Sequence, residues 1–280
     1  NKLKNNKNLN RKVIEDFGNE WSKFDQSSLK TEELKKMFDH YFYIFPLEEI
    51  NKDHVGFDLG CGSGRWAKFI ANNVQKLNCI DPSENSIKVA KKNLSNFNNI
   101  EYFNSGISNT YINKNSQDFG YCLGVLHHTN EIEEGINFCN KILKKNAPFL
   151  IYLYYNFENR GKLFKFIWKL SNLLRSVVCQ LPFNFKKIII NIFVLFFYLP
   201  MARLALLLNL LGFDTHKFPL SFYKDKSFYT MRTDSLDRFG TKLERRFSRE
   251  EIYKMLISNG FKDIKFSEKV PFWVATCRKI

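Results

Sequence analysis

At 280 residues with 44% hydrophobic side chains, the chain can bury a real core, as one large domain or as one domain with an elaboration. Its six cysteines (Cys61, Cys79, Cys122, Cys139, Cys179 and Cys277) form no C-x-x-C pair and no Cys/His cluster, which excludes a paired-cysteine zinc or redox motif and leaves reduced core residues of a cytosolic protein. The formal charge of +15, from 43 Lys and Arg against 28 Asp and Glu, fits nucleic acid, an anionic membrane or an acidic substrate, and equally a chain-wide bias to Lys and Asn.

Residues 1–12 read as a polar, basic, disordered tail, and no apolar leader segment is visible. An aromatic cluster of Phe17, Trp21 and Phe24 follows, then a helix over Thr31–Phe45 closed by Pro46. Residues 1–45 are thus expected to form a tail and helical cap. From His54 strands and helices alternate. Strands are expected at Val55–Leu59, Leu77–Ile80, Ile100–Phe103, Phe119–Leu123 and Pro148–Tyr154. Helices are expected at Arg65–Asn73, Ser86–Leu94 (capped by Ser83) and Glu133–Leu143. This rhythm implies a parallel sheet with helices on both faces over residues 46–157.

The chemistry gathers where the first strand meets the first helix, in Asp58-Leu-Gly60-Cys-Gly62-Ser-Gly64. The glycines let the backbone turn tightly and approach a ligand. An acid two residues before the first glycine argues against a pyrophosphate and for a cationic ligand part. Asp81, at the carboxyl end of the second strand and 17 residues after Gly64, can accept from both hydroxyls of a ribose. His127 and His128 lie just past the fourth strand, at the rim where acceptors meet open α/β sheets, and a neutral imidazole there can take a proton. Tyr154, Tyr155, Asn156 and Arg160 follow the fifth strand on the same rim.

The run Phe57–Trp66, Asp81 and Tyr121-Cys-Leu-Gly-Val-Leu-His-His-Thr129 resembles the class I S-adenosylmethionine (SAM)-dependent methyltransferases, in particular the small-molecule group that includes ubiquinone-type enzymes. The flanks Phe17–Trp21, Tyr152–Arg160 and Asp237–Phe247 are similar to an uncharacterised bacterial subgroup of that family. The resemblance covers residues 54–155 by motif. It implies a Rossmann-like doubly wound sheet of about seven strands and SAM as cofactor. It places Asp58, Gly60, Gly62 and Gly64 at the methionine and ribose end of SAM, Asp81 on the ribose, Ser105 and Ile107 beside the adenine, and Leu123 and Gly124 behind the methionine. One departure stands out: no Asp lies near Gly106 to take the adenine amino group, only Ser105 and backbone. The acceptor side falls to His127, His128 and Tyr155 as catalytic groups, with Tyr154, Arg160, Tyr229 and Arg232 as substrate contacts.

The absence of Asp/Asn-Pro-Pro-Tyr/Phe after the fourth strand weighs against an amino-methylating nucleic-acid enzyme, and the absence of Pro-Cys against a cytosine methyltransferase. A non-catalytic SAM-fold partner protein and a nucleic-acid methyltransferase are the rival functions. The acceptor expected is a small molecule, sugar or lipid-linked precursor.

Residues 158–239 break the rhythm and read as an inserted apolar-basic helical subdomain. Residues 158–218 carry nine Lys or Arg against Glu158 and Asp214. Two long apolar stretches run over Lys162–Val178 and Ile188–Leu211, the second interrupted by Pro200. The insertion is expected to be a lid over the acceptor site, a foot resting through 162–211 on the inner face of a membrane, or both, with a helical dimer interface as the alternative. The stretch Tyr223–Arg238 reads as a ligand-facing loop that brings Tyr229 and Arg232 to the acceptor. Residues 240–280 return to the sheet: Ser248-Arg-Glu-Glu251 opens a helix by a capping box, and Lys262–Phe266 with Phe272–Cys277 form an antiparallel hairpin.

Overall fold

The structure, a computed structural model, describes residues 11–107, 110–215, 218–241 and 243–280. The expected tail lies, over residues 1–10, outside the described residues. Among the described residues two compact units emerge: residues 11–26, 34–158 and 243–280 belong to one, and residues 27–33 and 159–241 to the other. The N-terminal helices α1 (Arg11–Lys23) and most of α2 (Thr31–Phe42) therefore count with the sheet.

The first unit is built on strands β1 (Val55–Leu59), β2 (Lys76–Ile80), β3 (Ile100–Phe103), β4 (Phe119–Leu123), β5 (Pro148–Tyr152), β6 (Phe261–Phe266) and β7 (Ala275–Lys279). They form one sheet in the order β3-β2-β1-β4-β5-β7-β6. The first five are parallel, and β7 slots antiparallel between β5 and β6. β4 is buried at every position, as an all-apolar run flanked by layers on both faces requires. Helices α3 (Ala67–Ile70), α4 (Glu84–Asn93), α5 (Ile132–Ile142) and α10 (Arg249–Ser258) provide the crossovers. The Ser248 capping box is present in full. The core runs through Phe57, Phe149 and Phe261, whose rings stack in series at 6.1 and 5.3 Å. All six cysteines are buried and free. From β1 the chain winds outward to β2 and β3, then returns to β4 on the other side. The carboxyl ends of β1 and β4 thus flank a topological switch point, where open α/β sheets bind ligands.

The second unit is helical: α6 (Lys162–Val178), α7 (Phe183–Phe193), α8 (Leu199–Leu210) and α9 (Phe228–Gly240). Two expectations are corrected here. Pro200 does not interrupt the second apolar stretch, because one helix runs 28 residues from Phe183 to Leu210. A π-turn at Val194–Tyr198 lies just ahead of Pro200 and absorbs both its missing N–H and the pressure of its ring. The stretch Tyr223–Arg238 is not a loop, for most of it is α9. Ser227 caps that helix by accepting from the Thr230 N–H, and Glu33 Oε1 accepts from the Ser227 N–H at 2.9 Å and the Thr230 hydroxyl at 2.7 Å. At the other end Lys186 Nζ donates to the Gly240 carbonyl at 2.8 Å and Arg175 Nη1 to the Thr241 carbonyl at 2.9 Å. Acid at the first turn and cations at the last suit the helix dipole.

Candidate active site

The glycine turn leaves β1 with Gly60, Gly62 and Gly64 all at positive φ (76°, 54° and 77°), a conformation other residues adopt only at a cost. The Gly60 and Cys61 N–H groups donate to the Ile80 carbonyl at 2.7 and 3.1 Å, tying the turn to the end of β2. Asp81 completes the tie. Its Oδ2 accepts from the Gly62 N–H at 3.0 Å and its Oδ1 from the Ser83 N–H at 2.8 Å. Across the switch point Gly124 also has positive φ (78°), and a Cβ built on it would meet no protein atom within 4 Å. Leu123 is buried beside it, and the Gly124 N–H donates to the Tyr152 carbonyl at 3.1 Å.

Two buried carboxyls meet here. Burial pushes the Asp58 carboxyl up to about 8, with Asp81 adding to the rise and the Tyr121 hydroxyl and Arg65 opposing it. Burial likewise raises Asp81 to about 6, against the N–H donors of Ser83 and Gly62. Asp58 Oδ2 has no hydrogen-bond partner among the described residues. A carboxyl held in this way becomes an anion readily only when a cation or strong donor arrives. Further along, Ser105 Oγ is bonded to Thr110 Oγ1 at 2.7 Å, and Ile107 packs on the core edge.

The histidines sit on the short turn after β4. His127 is wholly buried, with Tyr154 stacked on it at 3.8 Å and His128 at 4.1 Å. Neither of its ring nitrogens has a partner among the described residues. Burial, with His128 and Arg246 nearby, holds its pKa well below the usual histidine value, so the ring is neutral. His128 Nδ1 lies 2.6 Å from the Leu243 carbonyl. That carbonyl can only accept, so Nδ1 carries the proton and, in the neutral ring, Nε2 carries the lone pair.

Tyr154 and Tyr155 part company, as alternate residues of an extended chain must. Tyr154 joins the histidines. Tyr155, expected to act catalytically, instead packs its ring against Phe157, Phe272 and Trp273 at 4.8, 5.4 and 6.5 Å. Arg160, Tyr229 and Arg232 belong to the helical unit. The Arg160 guanidinium lies over Phe164 at 5.3 Å and that of Arg232 over Phe228 at 5.7 Å, while the Tyr229 carbonyl accepts from Thr233.

Sequence reasoning missed two walls of the site. One is α1: the Phe17 ring is 4.9 Å from His128, and the Trp21 ring lies so close to Gly62 that a Cβ there would approach it to 3.0 Å. The four-residue spacing of Phe17 and Trp21, one helical turn, was the available clue. The other is a strap at residues 243–247. Arg245 N–H donates to the His127 carbonyl, Phe247 N–H donates to the Tyr154 carbonyl, and the Arg246 guanidinium lies 4.9 Å from the Tyr154 ring centre while pairing with Glu244 at 2.7 Å. The sequence placed this segment only as a flank.

Residues 57–151 match the methyltransferase domain family. The chain carries a SAM-dependent methyltransferase domain. That domain spans β1 to β5, the part of the sheet that holds Asp58, the glycine turn, Asp81, Gly124 and the histidines. No curated protein matches the chain. Among solved structures it is similar to the complex of the Haloferax volcanii Trm112 methyltransferase activator and its methyltransferase (11% identity, 95% of this chain and 96% of that one, TM-score 0.53). A second similar structure is a SAM-dependent methyltransferase from Thermotoga maritima (13% identity, 96% and 100%, TM-score 0.51). Of phosphoethanolamine N-methyltransferase 1 from Haemonchus contortus the chain spans 35%, with 55% of itself, at 14% identity and a TM-score of 0.43. At such identities the likeness is one of fold. The methyltransferase domain implies SAM as methyl donor and an acceptor for the methyl group.

Proposed function

We propose that the chain transfers a methyl group from SAM to a small-molecule, sugar or lipid-linked acceptor. The observation that carries this reading is the buried pair Asp58 and Asp81 at adjoining strand ends, with Asp58 Oδ2 unpartnered among the described residues. Such a site fits a ligand with a cationic head and a diol. Asp58 would take the ammonium of the donor and give up its proton in doing so. Asp81 keeps lone pairs beyond those committed to Gly62 and Ser83, and these would take the ribose hydroxyls. Gly60, Gly62 and Gly64 would line the donor, Leu123 and Gly124 would back it, and Ser105 and Ile107 would flank its base.

When bound, SAM supplies a methyl group already activated on its sulfonium. The chain's own task is to orient the acceptor and exclude water. His127 is neutral and a poor base, so it suits accepting a hydrogen bond from the acceptor and fixing its direction. His128, with Nδ1 anchored on Leu243, offers Nε2 for the acceptor's proton. Tyr154 and the Arg246 strap wall the histidines, and Tyr155 anchors the far side of that strap through its pairing with Phe247. Incubating the full chain with methyl-labelled SAM and fractionated cell extract tests the acceptor class. Label is expected in the low-molecular-weight or lipid fraction; label confined to nucleic acid or protein contradicts the proposal.

A further inference from the structure

The helical unit has a mixed apolar and polar interior and a strongly apolar outside. Its central helix α9, on which α6 and α7 both pack, buries Met231, Leu236 and Phe239 and, among them, Thr230, Thr233 and Ser235. Asp234 faces the hydroxyl of the half-buried Tyr223, and Lys186 on α7 is buried with its ammonium on the Gly240 carbonyl. Outward the apolar surface continues. On α6, Phe166, Leu170, Leu173 and Val177 are 52–66% exposed, and on the long helix Phe185 and Phe196 are 61% and 66% exposed. A helical unit surrounded by water would hide these side chains and show the polar ones. An exposed apolar face of this extent, with polar groups kept among the buried side chains, suits helices that rest against lipid.

The charge pattern says which apolar medium. Lys162 and Lys169, seven residues apart and both exposed, run along one edge of the α6 stripe. Over residues 158–218 the sequence carries nine Lys or Arg against Glu158 and Asp214, of which Lys186 is buried and Arg175 and Arg203 bond to carbonyls of the same unit. A second copy of the chain docked on this face would set like charge against like, whereas an anionic lipid surface complements it. The helix Phe183–Leu210 is long and apolar enough to cross a bilayer. The sheet rules out a single crossing, because β5 before the insertion pairs with β7 after it.

We propose that the outer face of α6 and of the Phe183–Leu210 helix lies in the interface of an anionic bilayer, apolar side chains among the acyl chains and lysines among the headgroups. This stands apart from the transfer reaction, and its test needs no SAM. The full chain is sedimented with vesicles of phosphatidylcholine, and with vesicles of phosphatidylcholine mixed with phosphatidylglycerol. Binding is expected to the mixed vesicles, much less to phosphatidylcholine alone, and to weaken with salt. The exposed double substitution Leu173→Ser, Val177→Ser should cut partitioning at least about tenfold with an unchanged melting temperature. Lys162→Gln and Lys169→Gln should each cut binding to the mixed vesicles about fivefold. Failure of the native chain to pellet with the mixed vesicles would overturn the proposal. So would a lipid-free dimer, seen by sedimentation velocity, that the Leu173/Val177 variant dissolves into monomers.

Discussion

Asp58 sets the sharpest expectation at the scale of single residues. Its folded carboxyl is pushed up to about 8 against 3.8 for an ordinary aspartate, so the folded protein holds a proton that the unfolded chain has released. Stability from this group is full below the unfolded value and is lost as the pH rises toward 8. Asp81 acts the same way but is finished by about 6. His127 acts in reverse: its folded pKa lies well below 6.5, so its contribution is lost as the pH falls below 6.5. Between pH 6.5 and 8 the remaining slope among these three is that of Asp58, up to about 2 kcal/mol across the window in the absence of SAM. Urea melts of the native chain and of Asp58→Asn should differ by that slope; parallel curves would remove Asp58 from the account. Gly124→Ala offers a second test. The added Cβ meets no protein atom, so folding should lose only the backbone cost of about 1 kcal/mol at positive φ. If the donor lies against Gly124, SAM affinity should fall by more than that. Equal losses in melting and binding would place the donor elsewhere.

Among the elements, those with a plain period were legible and those with an unusual environment were not. β1, β3 and β4 are short apolar runs bounded by turns, and their limits follow from the residues. The helix opened by Ser248 follows from its capping box. Helix α9 escaped because its buried residues are mixed: Thr230, Thr233 and Ser235 are interleaved with Met231, Leu236 and Phe239, so no clean apolar stripe marks the helix. The same mixture hides the helix that carries Tyr229 and Arg232, which the sequence presents as loop residues. Two substitutions test this reading of α9. Ser227→Ala removes the cap and should cost about 1 kcal/mol. Glu33→Ala removes two charge-assisted bonds at the same helix end and should cost more, about 2 kcal/mol. Hydrogen exchange of the α9 amides should quicken in both. A solvated loop over Tyr223–Arg238 would leave stability and exchange unmoved.

For the whole molecule, the cofactor half of the site was legible because it depends on local backbone: acid, glycine turn and second acid sit within one strand–helix–strand unit. The acceptor half was legible only in part. Its walls come from α1 and from the strap at residues 243–247, more than a hundred residues on either side of His127, and no local pattern announces such contacts. The central claim is that the Asp58–glycine–Asp81 cradle binds SAM, and titration calorimetry on the full chain tests it most directly. SAM should bind in the micromolar range, about −8 kcal/mol. Asp81→Ala should weaken it at least about tenfold, the equivalent of a hydrogen bond to a charged group. NAD should give no binding heat at neutral pH, since its pyrophosphate would meet the ionised Asp81 carboxyl beside an Asp58 that is neutral and offers no countercharge. Unchanged SAM affinity in Asp81→Ala, or NAD binding equal to that of SAM, would contradict the account.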